Sequence, residues 1–182
     1  MEKYEVRATF DADTITVYQA YPHAIADAAL TAGTFVAPFK RERMTWIKPS
    51  FLWMMYRCGW AAKPDQERVL AIRIARGGFQ WALDHSCPSS PGRMDHDEWK
   101  RRLRTSPVRV QWDPDRDLRL QPLARRAIQV GLSGEAVARY VDEWIVDLRD
   151  VTSLAHKVGA SVRAGDLDAA RDLLPREGPY PD

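Results

Sequence analysis

Between Arg41 and Lys63 the sequence RERMTWIKPSFLWMMYRCGWAAK changes period in its middle, and that change restricts the folds open to the chain. Met44 to Lys48 reads as a short strand, whereas Pro49 opens an apolar run that closes at Gly59. Proline fits the first turn of a helix, where no N–H is required, and glycine fits the position just past its end. A strand therefore runs directly into a helix through Lys48-Pro49-Ser50. Such a corner offers free N–H groups and a partial positive charge to an anion. Residues 40–63 also hold six cationic side chains against one carboxylate, while the whole chain is only +2. The cation excess is local and marks a place on the molecule.

At 182 residues the chain suits one domain with a short appendage and is long enough to bury a core. No apolar run approaches the ~20 residues of a membrane span, so a membrane is not an expected partner. The start MEKYEVRATF lacks the apolar centre of a secretion signal. Cys58 and Cys87 fit neither a disulfide scaffold nor a metal-ligand spacing. A reducing cytoplasm is the compartment these features predict. Seven tryptophans stand out, because an indole either fills a core with its N–H satisfied or stacks on a flat ligand.

Read in order, the chain alternates short strands and helices. Tyr4–Phe10 and Thr14–Tyr21 read as strands about an aspartate turn, and Pro22 starts a helix that Gly33 stops. The apolar run Val69–Ile74 reads as a central strand. Gly77-Gly78 reads as a break before a helix over Phe79–His85, and 86–94 as a loop. Asp95 caps a helix through Arg104, and Asp113-Pro114-Asp115 reads as a turn after the strand Val108–Trp112. Strands follow at Ala127–Leu132 and Ile145–Leu148, with a helix capped by Ser133 between them. Helices capped by Thr152 and Asp166 close the chain as an αα-hairpin. Crossovers are too short and sporadic for a doubly wound parallel fold. The class predicted is α+β: a mixed, largely antiparallel sheet, whole or split, flanked by short helices. Residues 1–150 would form the binding domain and 151–182 a hairpin packed on it.

Most chemical signatures are missing. The four histidines are scattered, and Asp95, Asp97 and Glu98 around His96 suit a helix start without a metal. No nucleophile elbow, Walker loop or G-x-G-x-x-G is present. Asp113, Asp115 and Asp117 suit turn chemistry, and Ser50 suits a cap. What remains is the cationic, aromatic corner, whose ligand would combine negative charge with flat rings: a nucleotide, a dinucleotide or single-stranded nucleic acid. Arg41 and Arg43 would meet phosphates, Lys48 or the Ser50 hydroxyl a ribose or phosphate, and Trp46 or Trp53 would stack. Lys100, Arg101, Arg102 and Arg104 read either as a solvated helix face or as a track for a phosphate backbone.

The runs VYQAYPHAIADAAL, FVAPFKRERMTWIKPSFLWMMYRCGWAAKPDQERVLAI, WDPDRDLRLQPL and AIQVGLSGEAVARYVDEWIVDL closely resemble domain-of-unknown-function family 4291 across nearly the whole chain. In element order the chain also resembles small ADP-ribosyltransferases, including DNA-modifying toxins of the DarT type. There a strand bearing a polar ligand residue leads to a helix and a basic loop. A strand–Pro-Ser–helix follows, then an apolar strand and a late strand with a catalytic glutamate. That likeness implies NAD as substrate, no metal, and DNA, RNA or a related acceptor for the ADP-ribose. It implies that Tyr18 and Gln19 meet the nicotinamide ribose and that Arg43 and Lys48 hold the pyrophosphate. Gln129 falls where the transferases carry glutamate, and would orient the ribose or the acceptor. The alternative is a non-catalytic module binding single-stranded nucleic acid or a nucleotide at the same corner.

Overall fold

The structure is a computed structural model that describes residues 3–181. Its elements run β1 (Lys3–Tyr4), β2 (Val6–Ala8), β3 (Thr14–Tyr21), α1 (His23–Ala32), β4 (Thr45–Ile47) and α2 (Phe51–Cys58). Next come β5 (Arg68–Ala75), α3 (Arg76–Asp84), β6 (Ser86–Pro88), α4 (His96–Thr105), β7 (Val108–Arg116) and β8 (Pro122–Leu132). After α5 (Glu135–Arg139) comes a π-helical turn, Tyr140–Trp144, then β9 (Ile145–Asp150), α6 (Thr152–Arg163), α7 (Leu167–Leu173) and β10 (Gly178–Tyr180).

The class is α+β, and the strands divide between separate sheets. One antiparallel sheet has the order β3-β5-β9. A second is built on the β7–β8 hairpin, with β6 parallel along β7. The other edge of β8 carries β1, parallel, and β4, antiparallel. A small third sheet pairs β10 with β2.

Alternation along β5 explains the layering. Leu70, Ile72 and Ile74 face a large core shared with Ile128, Val130 and Leu132 of β8 and Ile47 of β4. Val69 and Ala71 face a second core made with Met54, Met55 and Cys58 of α2 and Ala155, Val158 and Ala170 of α6 and α7. The central sheet is buried on both faces, which is why the β5 sequence is nearly continuous in apolar residues. The final helices complete the second core, and the chain then returns to β2 through β10.

Several local readings change. Neither Ser133 nor Thr152 caps its helix through its side chain: Gly134 stands at the start of α5 and Val151 at the start of α6. Gly77 and Gly78 lie inside α3 and do not break it. A Cβ on Gly78 would lie 2.4 Å from the Trp144 ring, so glycine there permits close packing of helix and indole. Within 86–94, residues Ser86–Pro88 join the sheet as β6. Asp113 and Pro114 stay in the β7–β8 ladder. The hairpin turns later, where the Asp117 carboxylate accepts from the N–H groups of Arg119 and Gln121, each at 2.9 Å.

Candidate functional site

The strand-to-helix corner forms, with Pro49 just ahead of the Ser50 cap and outside the first turn of α2. Thr45 and Ile47 are buried on the inner face of β4, which sends Trp46 and Lys48 to the other face. The Lys48 carbonyl accepts from the Tyr18 N–H at 2.8 Å, tying the corner to β3. Ser50 caps α2 by accepting from the Trp53 N–H at 3.2 Å, and donates to Asp115 at 2.8 Å. The helix then presents Trp53, Tyr56 and Arg57, spaced i, i+3, i+4, on one side.

These side chains close a cleft of 440 Å³ lined by Trp46, Lys48, Trp53, Tyr56, Arg57, Gln111 and Gln129. Gln111 and Gln129 are directly opposed in the β7–β8 register. Trp46 is opposed to Gly131, and a Cβ there would lie 2.9 Å from the indole ring, so the missing side chain makes room for Trp46. Trp46 and Lys48 also wall a hollow of 190 Å³ with Gln19, Tyr21, Met44 and Thr45. Tyr21, Met44 and Thr45 continue into a groove of 790 Å³ whose cations are Lys40, Arg43 and Arg57. The three spaces share walls, leading from a cationic mouth to an aromatic interior.

The interior carries unusual electrostatics. Lys48 is 8% exposed, and its Nζ donates to the Trp46 carbonyl at 3.0 Å without an acidic partner among the described residues. Burial, reinforced by the Arg57 charge and opposed by Cys58, lowers its pKa to about 7. The Asp113 carboxylate accepts from Gln111 Nε2 at 3.1 Å and from Gln129 Nε2 at 3.1 Å. Trp53 is 5% exposed, and its buried Nε1–H has no hydrogen-bond partner among the described residues. An orphan indole N–H costs about 1–3 kcal/mol.

The other nominated residues lie elsewhere. Tyr18 points away from the cleft into the second core, where its ring packs edge-on against Phe51. Gln19 reaches the small hollow, but its amide is committed to Thr45, Tyr21, the Trp46 carbonyl and the Tyr140 hydroxyl. Strand alternation puts these neighbours on opposite faces, so they do not meet one ribose together. Arg41 is held outside by a two-pronged pair with Asp142 at 2.7 and 2.8 Å. The free N–H expected at the start of α2 is taken: Phe51 N–H donates to the Glu177 carboxylate at 2.8 Å. Lys100, Arg101, Arg102 and Arg104 are exposed on α4, which packs beside β6 at the far edge of the sheet from β4.

Tyr56, Arg57, Gln111 and Asp113 escape a reading of sequence alone. Helical spacing from Trp53 would have found the first two. Gln111 and Asp113 depend on the β7–β8 register, which no local signal fixes. No curated protein matches the sequence. The family comparison covers residues 5–180 and so includes every strand but β1, the cleft and the returning C-terminal strand: the chain belongs to the family described as Domain of unknown function (DUF4291).

Proposed function

We propose that the groove and cleft bind a nucleotide of the NAD type and that the protein transfers its ADP-ribosyl group to a nucleic acid or a related acceptor. The observation that carries this reading is the continuity from the cations Lys40, Arg43 and Arg57 to the indoles of Trp46 and Trp53. Arg43 and Arg57 make no side-chain ion pair among the described residues, which leaves their donors for a pyrophosphate. Trp46 or Trp53, both on the cleft wall, takes a ring. Lys48 and Gln129 lie at the ribose end.

In the transfer, the bond between the nicotinamide nitrogen and the ribose C1′ breaks, its electron pair leaving with neutral nicotinamide. The acceptor atom bonds to C1′ and gives up its proton to solvent. Gln129 carries no charge, and Asp113 beside it supplies the negative field that favours the cationic sugar. We place this chemistry in a reducing cytoplasm, in keeping with two free cysteines.

A second reading, nucleotide or single-strand binding without turnover, is favoured by one observation: the residue on the late strand is a neutral glutamine. Titration with NAD by calorimetry, followed by incubation with DNA and RNA oligonucleotides and mass measurement, separates the two. Binding with an ADP-ribose adduct on an oligonucleotide supports transfer. NAD-independent binding that weakens steeply with salt supports the second reading, and neither result removes both.

A further inference from the structure

We propose that Lys48 is a nucleophile that captures the aldehyde of a ring-opened, phosphorylated ribose, of the ADP-ribose type, as an imine in the cleft. The argument begins with placement. Lys48 lies on the wall common to the cleft and the small hollow, its Nζ bonded among the described residues only to the Trp46 carbonyl. A lysine that serves structure is normally exposed or paired with a carboxylate, because burying an unpaired ammonium is costly. Here the groups around it are Arg57 and Cys58 of α2, Gln111 and Gln129 of the sheet, and two indoles. No carboxylate lines the cleft, the Asp113 carboxylate being bonded to Gln111 and Gln129, and burial raises the pKa of the Cys58 thiol. The surroundings therefore favour the amine over the ammonium, and the amine is the form that attacks carbonyl carbon.

The second observation is independent: Gln111 and Gln129 put neutral amides, and no carboxylate, on the wall of the same cleft as Lys48. An aldehyde supplies an electrophilic carbon for Nζ. The cationic mouth formed by Lys40, Arg43 and Arg57 selects a phosphorylated carrier. The Nζ lone pair forms a bond to the aldehyde carbon. The carbonyl oxygen takes the two hydrogens that nitrogen gives up and leaves as water, and a C=N bond remains. No oxidant or reductant takes part.

The identity of the sugar rests on the nucleotide reading above; the nucleophile does not. The test is incubation of the full chain with ADP-ribose at pH 7 and sodium cyanoborohydride, which fixes an imine as a stable amine, with peptide mapping by mass spectrometry. Lys48 should carry at least about tenfold more adduct than Lys3, Lys40, Lys63, Lys100 or Lys157, none of which lines the cleft. The intact adduct should vanish in Lys48→Met and Lys48→Arg. Adduct spread evenly over the lysines, or absent from Lys48, overturns the proposal, and that map needs no variant to fold. NAD, whose C1′ is already substituted, is titrated in parallel. NAD binding without a Lys48 adduct removes only this inference, and a Lys48 adduct without NAD binding removes only the NAD reading.

Discussion

Glu177 accepts a hydrogen bond from the Phe51 N–H at 2.8 Å across 126 residues of chain. The carboxylate comes from the segment that returns after α7, and it stands at the start of α2, where an anion is favoured by the helix dipole. Glu177 thus takes the place at the start of α2 that a ligand phosphate would otherwise fill. Ligand phosphates are left to the arginines on the opposite side of the corner.

Glu177 should govern stability on the acid side of neutrality. Burial raises its pKa from 4.5 to about 7, with Asp115 adding to the rise and the Phe51 N–H, Arg7 and Arg125 opposing it. Between those values the folded chain holds a proton that the unfolded chain has released. The contribution is fully present below pH 4.5 and is lost as pH rises through 7, a decline of up to about 3 kcal/mol. Glu177→Gln keeps an acceptor for Phe51 and should flatten that decline in urea melts from pH 4.5 to 7. An unchanged slope would mean the carboxylate is ionised throughout.

Lys48 should act on the alkaline side with the opposite sign. Its folded pKa of about 7 lies below the ordinary 10.5. The unfolded chain therefore binds the extra proton between those values, and stability rises with pH across them. Lys48→Met removes the buried amine and should stabilise the protein at pH 7 by about 2 kcal/mol, while weakening nucleotide binding. A destabilised variant with a retained alkaline slope would contradict this.

Gly131→Ala tests how Trp46 is seated. The new methyl group would lie 2.9 Å from both the Trp46 ring and Met44 Sδ. Because the ring packs against the strand, it must move or the strand must. The expected cost is about 1–3 kcal/mol of stability, with a shift in Trp fluorescence and about a tenfold loss of nucleotide affinity.

Ser50→Ala distinguishes a cap from a ligand contact. The hydroxyl is used twice inside the fold, by the Trp53 N–H and by Asp115. Its removal should cost about 1–2 kcal/mol in thermal or urea melts. Nucleotide affinity measured well below the melting temperature should stay within about twofold, since Ser50 is 3% exposed and does not line the cleft.

The two basic groups should separate donor from acceptor. Arg43→Ala with Arg57→Ala removes two cations from the groove and should lower NAD affinity about tenfold or more by calorimetry. Arg101→Ala with Arg102→Ala lies on α4, at the other edge of the sheet. That pair should leave NAD affinity unchanged and reduce oligonucleotide binding, with a shallower salt dependence.

The sequence by itself determined the local pieces, because their causes are local. Ser50 and Gly59 set the two ends of α2, and Asp95 and Asp166 cap their helices. The apolar run of β5 announced a strand buried on both faces, and the crowding of cations and indoles between residues 40 and 63 marked the cleft. Tertiary structure decided which of those groups meet. Strand alternation parted Tyr18 from Gln19, and Asp142, distant in sequence, drew Arg41 outward. Register alone brought Gln111 opposite Gln129, with Asp113 bonded to both. The loose reading of Gly77-Gly78 failed because the reason for glycine was Trp144, more than sixty residues away. Caps and periodicity act over one helical turn or two strand residues, whereas pairing partners and desolvation depend on what the rest of the chain brings alongside.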